Sequence, residues 1–372
     1  MFRPAPLRLC VFAFLLVRAA AAGPVDSTDV FVSGEGGWHT YRIPSLIVTP
    51  KGALLAFCEG RKTSQRDSGD IDLLLRRSDD GGATWGPVRV LWDDAANTCG
   101  NPCPVVDRVT GAVWLFLTHN PGDATDADLH TVLGKKTRTV WVTRSDDDGV
   151  SWLPPREITA EVKRPEWTWF ATGPGVGIQT AAGRLVIPCD SLTGERKAAY
   201  SFVVLSDDHG KTWRATGLVE GFNECQVAER ADGKLVLNMR NWDKNQTHRG
   251  VAVSPDGGET WPDVARDPAL YEPVCQGSLI RVPAPGRETT RFVFSNPAGE
   301  AEKRTRMTAR LSDDGGKTWP ASRLLQEGPA AYSCLAVLPD GRIGCLYERG
   351  EKAPYERITL ARFAVDWLAG GR

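Results

Sequence analysis

The sequence predicts an all-β chain, folded as a six-bladed β-propeller of four-stranded antiparallel blades. Three observations carry that expectation. One eight-residue phrase, Ser-x-Asp-x-Gly-x-Thr/Ser-Trp, occurs five times, beginning at Ser78, Ser145, Ser206, Ser254 and Ser312. A fixed phrase recurring at intervals of a few tens of residues marks one supersecondary unit used repeatedly. Short stretches rich in Val, Ile, Leu and aromatics lie between the copies, bounded by Gly, Pro, Asp or Asn as strands are. No convincing amphipathic helix and no Pro/Ser-rich linker interrupts them.

In chain order, the first 22 residues stand apart. Arg3 and Arg8 precede an apolar run, 9–17, and Ala20, Ala21 and Ala22 supply small residues before Gly23. This is the pattern of a secretory signal peptide cut after Ala22, and the run is too short to span a bilayer. The mature chain, 23–372, is expected to be one domain, secreted or periplasmic. Strands are expected at 113–119, 138–145, 201–206, 234–240, 291–296 and 342–348. Each copy of the phrase reads as a hairpin turn. Asp supplies side-chain hydrogen bonds and Gly supplies positive φ, while Trp is an apolar plug expected to anchor the turn against its own sheet. Five turn-marked units, and a sixth assembled from the N- and C-terminal strands, fill residues 30–365. A β-sandwich is the alternative, but it does not explain a recurring Asp-Gly-Trp turn.

The formal net charge of −1 points to neither nucleic acid nor a membrane surface as partner, and a monomer is expected. Of nine cysteines, eight remain beyond Cys10, an even number that permits disulfides in a secreted protein. Only Cys99 and Cys103 are close in sequence. Most of the others sit in apolar stretches and read as buried free thiols. No Cys/His spacing fits zinc, so no metal or cofactor is expected. Asn245-Gln-Thr247 is a glycosylation sequon.

A propeller leaves the chemistry undecided. The segments between the turns are more specific. Tyr41-Arg42-Ile43-Pro44 and the phrases EGRKTSQRDSGDIDLLLRRS (59–78), GNPCPVVD (100–107), TGPGVGIQ (172–179), NECQVAER (223–230), LNMRN (237–241), CQGSLI (275–280) and YSCLAVLPDGRIGCLYE (332–348) carry the signal. Together with the five turns, known as Asp boxes, they resemble the exo-α-sialidase (neuraminidase) family over nearly the whole mature chain. The resemblance implies hydrolysis of terminal α-linked sialic acids from glycoproteins, glycolipids or oligosaccharides, with retention of configuration.

What such a substrate demands agrees with the residues. A sialic acid carries a carboxylate on its anomeric carbon, which planar, permanently charged guanidinium forks suit better than ammonium groups. By resemblance those forks are Arg42, Arg240 and Arg304, the last placed by its register before the final Asp box, with Arg306 as competitor. A carboxylate nucleophile would be repelled by the substrate's own carboxylate, and sialidases are the known exception that use tyrosine. Tyr332 is the implied nucleophile and Glu224 the base that activates it. Asp67, six residues after Arg61, is the implied acid, with Asp70 and Asp72 as rivals. Its pKa is expected to be raised by desolvation as the glycan closes over the loop. Arg61 is implied to meet polar groups on the sugar ring, and Glu348 to hold Arg42. Asn101, with Pro102, is implied at the N-acyl group and Gln276 at the glycerol side chain. Trp167 and Trp169 are candidate substrate platforms, with at least one of them expected in the core. His209 reads as a turn residue only. A non-catalytic Asp-box binding propeller, a trans-sialidase and a hydrolase of a related nonulosonic acid are the alternatives.

Overall fold

In the computed structural model, residues 25–131, 136–194, 198–284, 286, 289–299 and 303–370 are described, and the chain is all-β. The expected signal peptide, 1–22, lies outside the described residues. Among the described residues the helices are Asp126–Thr131, Thr159–Val162 and Val365–Leu368, each six residues or fewer. None is long and apolar enough to cross a membrane.

The strands form four hydrogen-bonded sheets, antiparallel apart from one parallel bridge between Ile71 and Thr98, and can be followed along the chain as six successive units. The first comprises Thr40–Val48, Leu54–Arg61, Ile71–Ser78 and Arg89–Trp92. The second comprises Thr98–Val106, Val113–Asn120, Thr139–Ser145 and Arg156–Glu157. In the third, Trp167–Thr172 and Ile178–Gln179 both pair with Leu185–Thr193, followed by Ala198–Ser206 with the short strands Arg214–Ala215 and Val219–Glu220. The fourth is Phe222–Glu229, Leu235–Asn241, His248–Ser254 and Asp263–Tyr271. The fifth begins Ser278–Val282, Arg291–Pro297, Thr305–Ser312. The long strand Ala321–Val337 closes the fifth and opens the sixth, which continues through Ile343–Arg349 and Arg357–Phe363 to Val25–Val32. First strands of adjacent units pack together, including the last unit's against Thr40–Val48, except that Phe222–Glu229 of the fourth unit packs on Leu185–Thr193 and Ala198–Ser206 of the third.

Burial explains the strand sequences. Leu54–Arg61 is buried at every position, because neighbouring units cover both of its faces. Such a strand reads as a continuous apolar run rather than an alternation. Asp263–Tyr271, the last strand of its unit, is exposed along most of its length and carries Asp263, Arg266 and Asp267.

The five Asp boxes share one hydrogen-bond set. In the first, the Gly82 N–H donates to Ser78 Oγ at 2.8 Å, Ser78 Oγ donates to Asp80 Oδ1 at 2.8 Å, and Thr84 Oγ1 donates to Asp80 Oδ2 at 2.6 Å. Ser145, Ser206, Ser254 and Ser312 make the same bond to the glycine four residues on. Trp319 packs on Phe294 of its own unit at 5.9 Å, as expected, whereas two other Trp plugs depart from expectation. Trp152 packs edge-on against Phe57 of the preceding unit at 5.8 Å, and Trp213 against Trp114 and Phe116 of the preceding unit at 5.8 and 4.6 Å. These turns therefore clamp one unit to its neighbour, since the apolar surface nearest the turn belongs to the next sheet round. His209 is likewise more than a turn residue: its Nδ1 lies 2.9 Å from Asp107 Oδ2 of the preceding unit.

All eight cysteines beyond the first segment are free and buried. Cys99 and Cys103 lie in one strand, Thr98–Val106, and are not bridged.

Candidate active site

Arg42, Asn101, Glu224 and Tyr332 on first strands, Arg240 on a second strand, and Asp67 and Arg304 beside strands converge on one cavity of about 380 Å³. Arg42, Asp67, Asn101, Glu224, Arg240, Arg304 and Tyr332 all line it. A larger, more apolar hollow of about 1050 Å³ lies further along the same strands, among residues such as Val48, Val106, Val227 and Val337, and holds none of them.

Tyr332 is the hub. It lies on Ala321–Val337, and its side chain is packed among Ile43, Cys275 and Ala331. Its hydroxyl donates to Glu224 Oε1 and accepts from Arg240 Nη1 at 3.0 Å. Arg240 Nη1 also donates to Glu224 Oε2 at 2.5 Å. The Arg42 and Arg304 guanidinium carbons lie 5.0 and 5.6 Å from the Tyr332 ring centroid. Burial, then the Glu224 charge, pushes the phenol well above its ordinary pKa, while Arg240, Arg304 and Arg42 oppose the rise. Tyr332 is therefore neutral at rest, with its proton already directed to a carboxylate.

Beneath it, Glu348 is fully buried and serves both sides. It accepts from Arg42 Nε at 3.1 Å, the Ile43 N–H at 2.9 Å and the Tyr332 N–H at 3.0 Å. A buried carboxylate so satisfied fixes a guanidinium and a tyrosine backbone in one geometry.

Arg304, not Arg306, reaches the cavity. Arg304 donates to the Tyr355 hydroxyl at 2.9 Å and to Val274 O at 3.1 Å. Arg306 is exposed and pairs with Glu327. The two do not share a face as strand residues two apart ordinarily do, because Arg306 has φ +61° and the ladder with Ala321–Val337 shifts register there.

Two expectations are corrected. Gln276 does not face the cavity: it is buried, donates to Pro174 O and Ser333 O at 3.0 Å each, and accepts from the Ser333 N–H at 3.0 Å. Both ends of its amide are consumed in tying three units together. Arg61 is also buried away from the cavity wall. It donates to Glu59 at 3.0 and 2.6 Å and to Gln65 O at 2.5 Å, and pairs with Asp67 at 2.8 Å. It orients Asp67 rather than presenting a free fork.

Asp67 sits at the cavity mouth with its side chain 65% exposed, 2.8 Å from Arg61 and 3.4 Å from Arg42. Partial desolvation pulls its pKa up, but Arg61 and then Arg42 pull harder, so the carboxyl titrates below the ordinary aspartate range. The unliganded cavity therefore favours the carboxylate form of Asp67. Asp72 is structural, accepting from Trp38 Nε1 at 2.7 Å and pairing with Lys62 at 2.8 Å, and Asp70 does not line the cavity.

The far wall comes from the second and third units. Asn101 has φ +53°; its N–H donates to Glu59 Oε1 at 2.9 Å, and its Oδ1 accepts from Arg138 Nη1 at 2.9 Å. Trp167 is core, whereas Trp169 faces the cavity, with the Arg138 guanidinium 3.7 Å from its ring centroid. Sequence reasoning missed Tyr355, Trp242, Asn223 and Asp190, which also line the cavity. Asp190 alone carried a signal, an ionisable residue inside an apolar strand. Among the described residues no cluster of His, Cys, Asp or Glu is placed to hold a metal ion.

Comparisons with known proteins agree with this arrangement. Residues 52–345 match the BNR repeat-like domain. A sialidase of Micromonospora viridifaciens is 37% identical over 92% of this chain, which spans 54% of that relative's length. An exo-alpha-sialidase of Arthroderma benhamiae is 31% identical over 93% of this chain and 88% of its own. Among solved structures, Hadza microbial sialidase Hz136 superposes with a TM-score of 0.84 at 33% identity, covering 92% of this chain and 69% of that one. With the Tyr332–Glu224–Arg240 cluster and these relatives, the chain belongs to the exo-α-sialidase family of BNR-repeat glycoside hydrolases.

Proposed function

We propose that this protein is a secreted exo-α-sialidase that releases terminal α-linked sialic acids from glycoconjugates with retention of configuration. The observation that carries the reading is the hydrogen-bonded Tyr332–Glu224–Arg240 cluster, ringed by the Arg42 and Arg304 guanidiniums. In the mature chain, 23–372, the six strand units form the blades of one propeller, and the cavity opens on its axis.

The three arginines take the substrate carboxylate. Its arrival engages Arg42, which now pairs with Asp67. Losing that partner and gaining a like charge nearby both raise the Asp67 pKa, bringing it toward the acid form that the reaction needs. Glu224 accepts the Tyr332 proton while Tyr332 Oη bonds to the anomeric carbon. The glycosidic C–O bond breaks, and the leaving oxygen takes its proton from Asp67. Asp67 then removes a proton from water, which attacks the anomeric carbon. Tyr332 departs and recovers its proton from Glu224.

The test is turnover of a fluorogenic α-sialoside, with proton NMR to identify the first-formed anomer. Wild type should release α-sialic acid first, and Tyr332→Phe should lose at least about a hundredfold in kcat. No turnover by folded wild type, β-anomer first, or an unimpaired Tyr332→Phe would overturn the reading.

A further inference from the structure

Asp190 is a buried ionisable group with no part in the steps above. It lies on Leu185–Thr193, is 2% exposed, and lines the same cavity. Its Oδ1 accepts from Trp169 Nε1 at 3.0 Å. Among the described residues it makes no ion pair and Oδ2 has no hydrogen-bond partner, yet Oδ2 is not among the buried unpaired oxygens, so it opens onto the cavity. A buried carboxyl with one oxygen fixed by an indole and the other free is a built hydrogen-bonding position. Directly across the ladder stands Ala171, also a cavity residue, whose small side chain leaves the space before Oδ2 unfilled.

Position narrows the ligand group. The carboxylate-binding arginines and Tyr332 come from the first, fourth, fifth and sixth units, and Asp190 from the third. A sugar whose carboxylate is gripped by the arginines turns its opposite edge toward the second and third units. That edge bears the C5 substituent and the glycerol tail.

We infer that Asp190 is a specificity-determining residue whose Oδ2 hydrogen-bonds a hydroxyl or amide N–H on the edge of the bound sialic acid opposite its carboxylate. The inference rests on the sialidase reading above. Asp190 acts here as a neutral acid. Burial first, then the Glu224 charge, raises its pKa to about 8, against the bond from Trp169 and the charges of Arg138 and Arg240. His130, edge-on to Trp169 at 4.7 Å, and Arg138, over the same ring at 3.7 Å, are further titratable groups at this wall. Neutral Asp190 can donate as well as accept, which suits a hydroxyl. Once ionised it adds a negative charge to a cavity that must admit an anion.

The experiment measures kcat and KM from pH 5 to 9 for wild type, Asp190→Asn and Asp190→Ala. Three aryl α-sialosides are compared: the N-acetyl glycone, the deaminated glycone with a C5 hydroxyl, and a glycone with its tail shortened. Wild type should show KM rising above about pH 8, with kcat less affected. Asp190→Asn, which keeps shape and hydrogen bonding but does not titrate, should abolish that rise. Asp190→Ala should raise KM on the order of tenfold at neutral pH. The Asp190→Ala penalty should disappear with the shortened tail if the partner is a tail hydroxyl. It should differ between the N-acetyl and deaminated glycones if the partner is at C5. An alkaline KM rise retained in Asp190→Asn, or an Asp190→Ala penalty absent or indifferent to both edits, overturns the inference. Failure of wild type to turn over any of the three overturns the sialidase reading instead.

Discussion

Asp67 is the one implied catalytic group that is largely exposed, and the guanidiniums of Arg61 and Arg42 hold its charge in the unliganded cavity. Its contribution should therefore depend on how badly the leaving group needs a proton. Asp67→Asn is expected to lower kcat by about 10²–10⁴ for a sialylated oligosaccharide, whose leaving oxygen is a poor one, but far less for an activated aryl sialoside. Equal losses on both substrates would remove Asp67 from the acid role. The same residues show where sequence stops being legible. Tyr332, Glu224, Arg42 and Arg240 were readable because each sits in an extended phrase, the first three on first strands and Arg240 at the end of the second strand of its unit. Arg304 was separable from Arg306 only by backbone geometry, a positive φ at Arg306 that turns its side chain to solvent. Gln276 was misplaced for a similar reason: its phrase is at the right depth, but its amide is used up on Pro174 and Ser333. Tyr355 belongs to a turn with no motif, and nothing in its neighbours marks it as the partner of Arg304.

At the scale of elements, each expected strand is present, because apolar stretches bounded by turn residues leave few other options for chains that must be covered on both faces. The Asp boxes were legible as turns but not as clamps. A repeated Trp reports that a plug exists, and only the packing of one unit on the next shows which sheet receives it. Gly149 exposes the clamp to a direct test. It has φ +84°, and a Cβ there would meet Leu55 Cδ1 of the preceding unit at 2.4 Å. Gly81, at φ +70°, has open space around it. Alanine at Gly81 should cost about 1–2 kcal/mol from left-handed backbone alone. Alanine at Gly149 should add about 1–3 kcal/mol of overpacking against the neighbouring unit. Urea unfolding of the two variants measures the difference, and equal midpoints would mean that the box turns do not clamp.

The whole molecule closes where its two ends meet. Val25–Val32 pairs with Arg357–Phe363 to complete the sixth unit, so the ring of units depends on a strand contributed from the far end of the chain. Joining ends this far apart in sequence carries a loop-closure cost that local pairing does not, and the seam is reinforced with charge. Asp26 pairs with Arg362, and with Arg342 at 2.6 Å. Asp29 pairs with Arg357 at 3.1 Å and accepts from Thr359 Oγ1 at 2.5 Å. Burial pulls both carboxyls up, but their partners pull them further down, so both titrate below the ordinary aspartate value. A carboxyl with a depressed folded-state pKa stabilises above its unfolded value near 3.8, and that contribution is lost as pH falls through the folded pKa. The seam is therefore acid-labile. Asp26→Asn with Asp29→Asn should remove about 1–2 kcal/mol at pH 7, a few partly exposed pairs' worth, lowering Tm by a few degrees. As pH falls below the ordinary aspartate value the wild-type carboxyls lose their charge, and the gap between variant and wild type should shrink toward zero. Thermal melts at pH 7 and at pH 2.5–3 measure both gaps. A difference that persists undiminished in acid would show that hydrogen-bond geometry rather than charge holds the seam, and one absent at pH 7 would show that strand pairing closes the ring unaided.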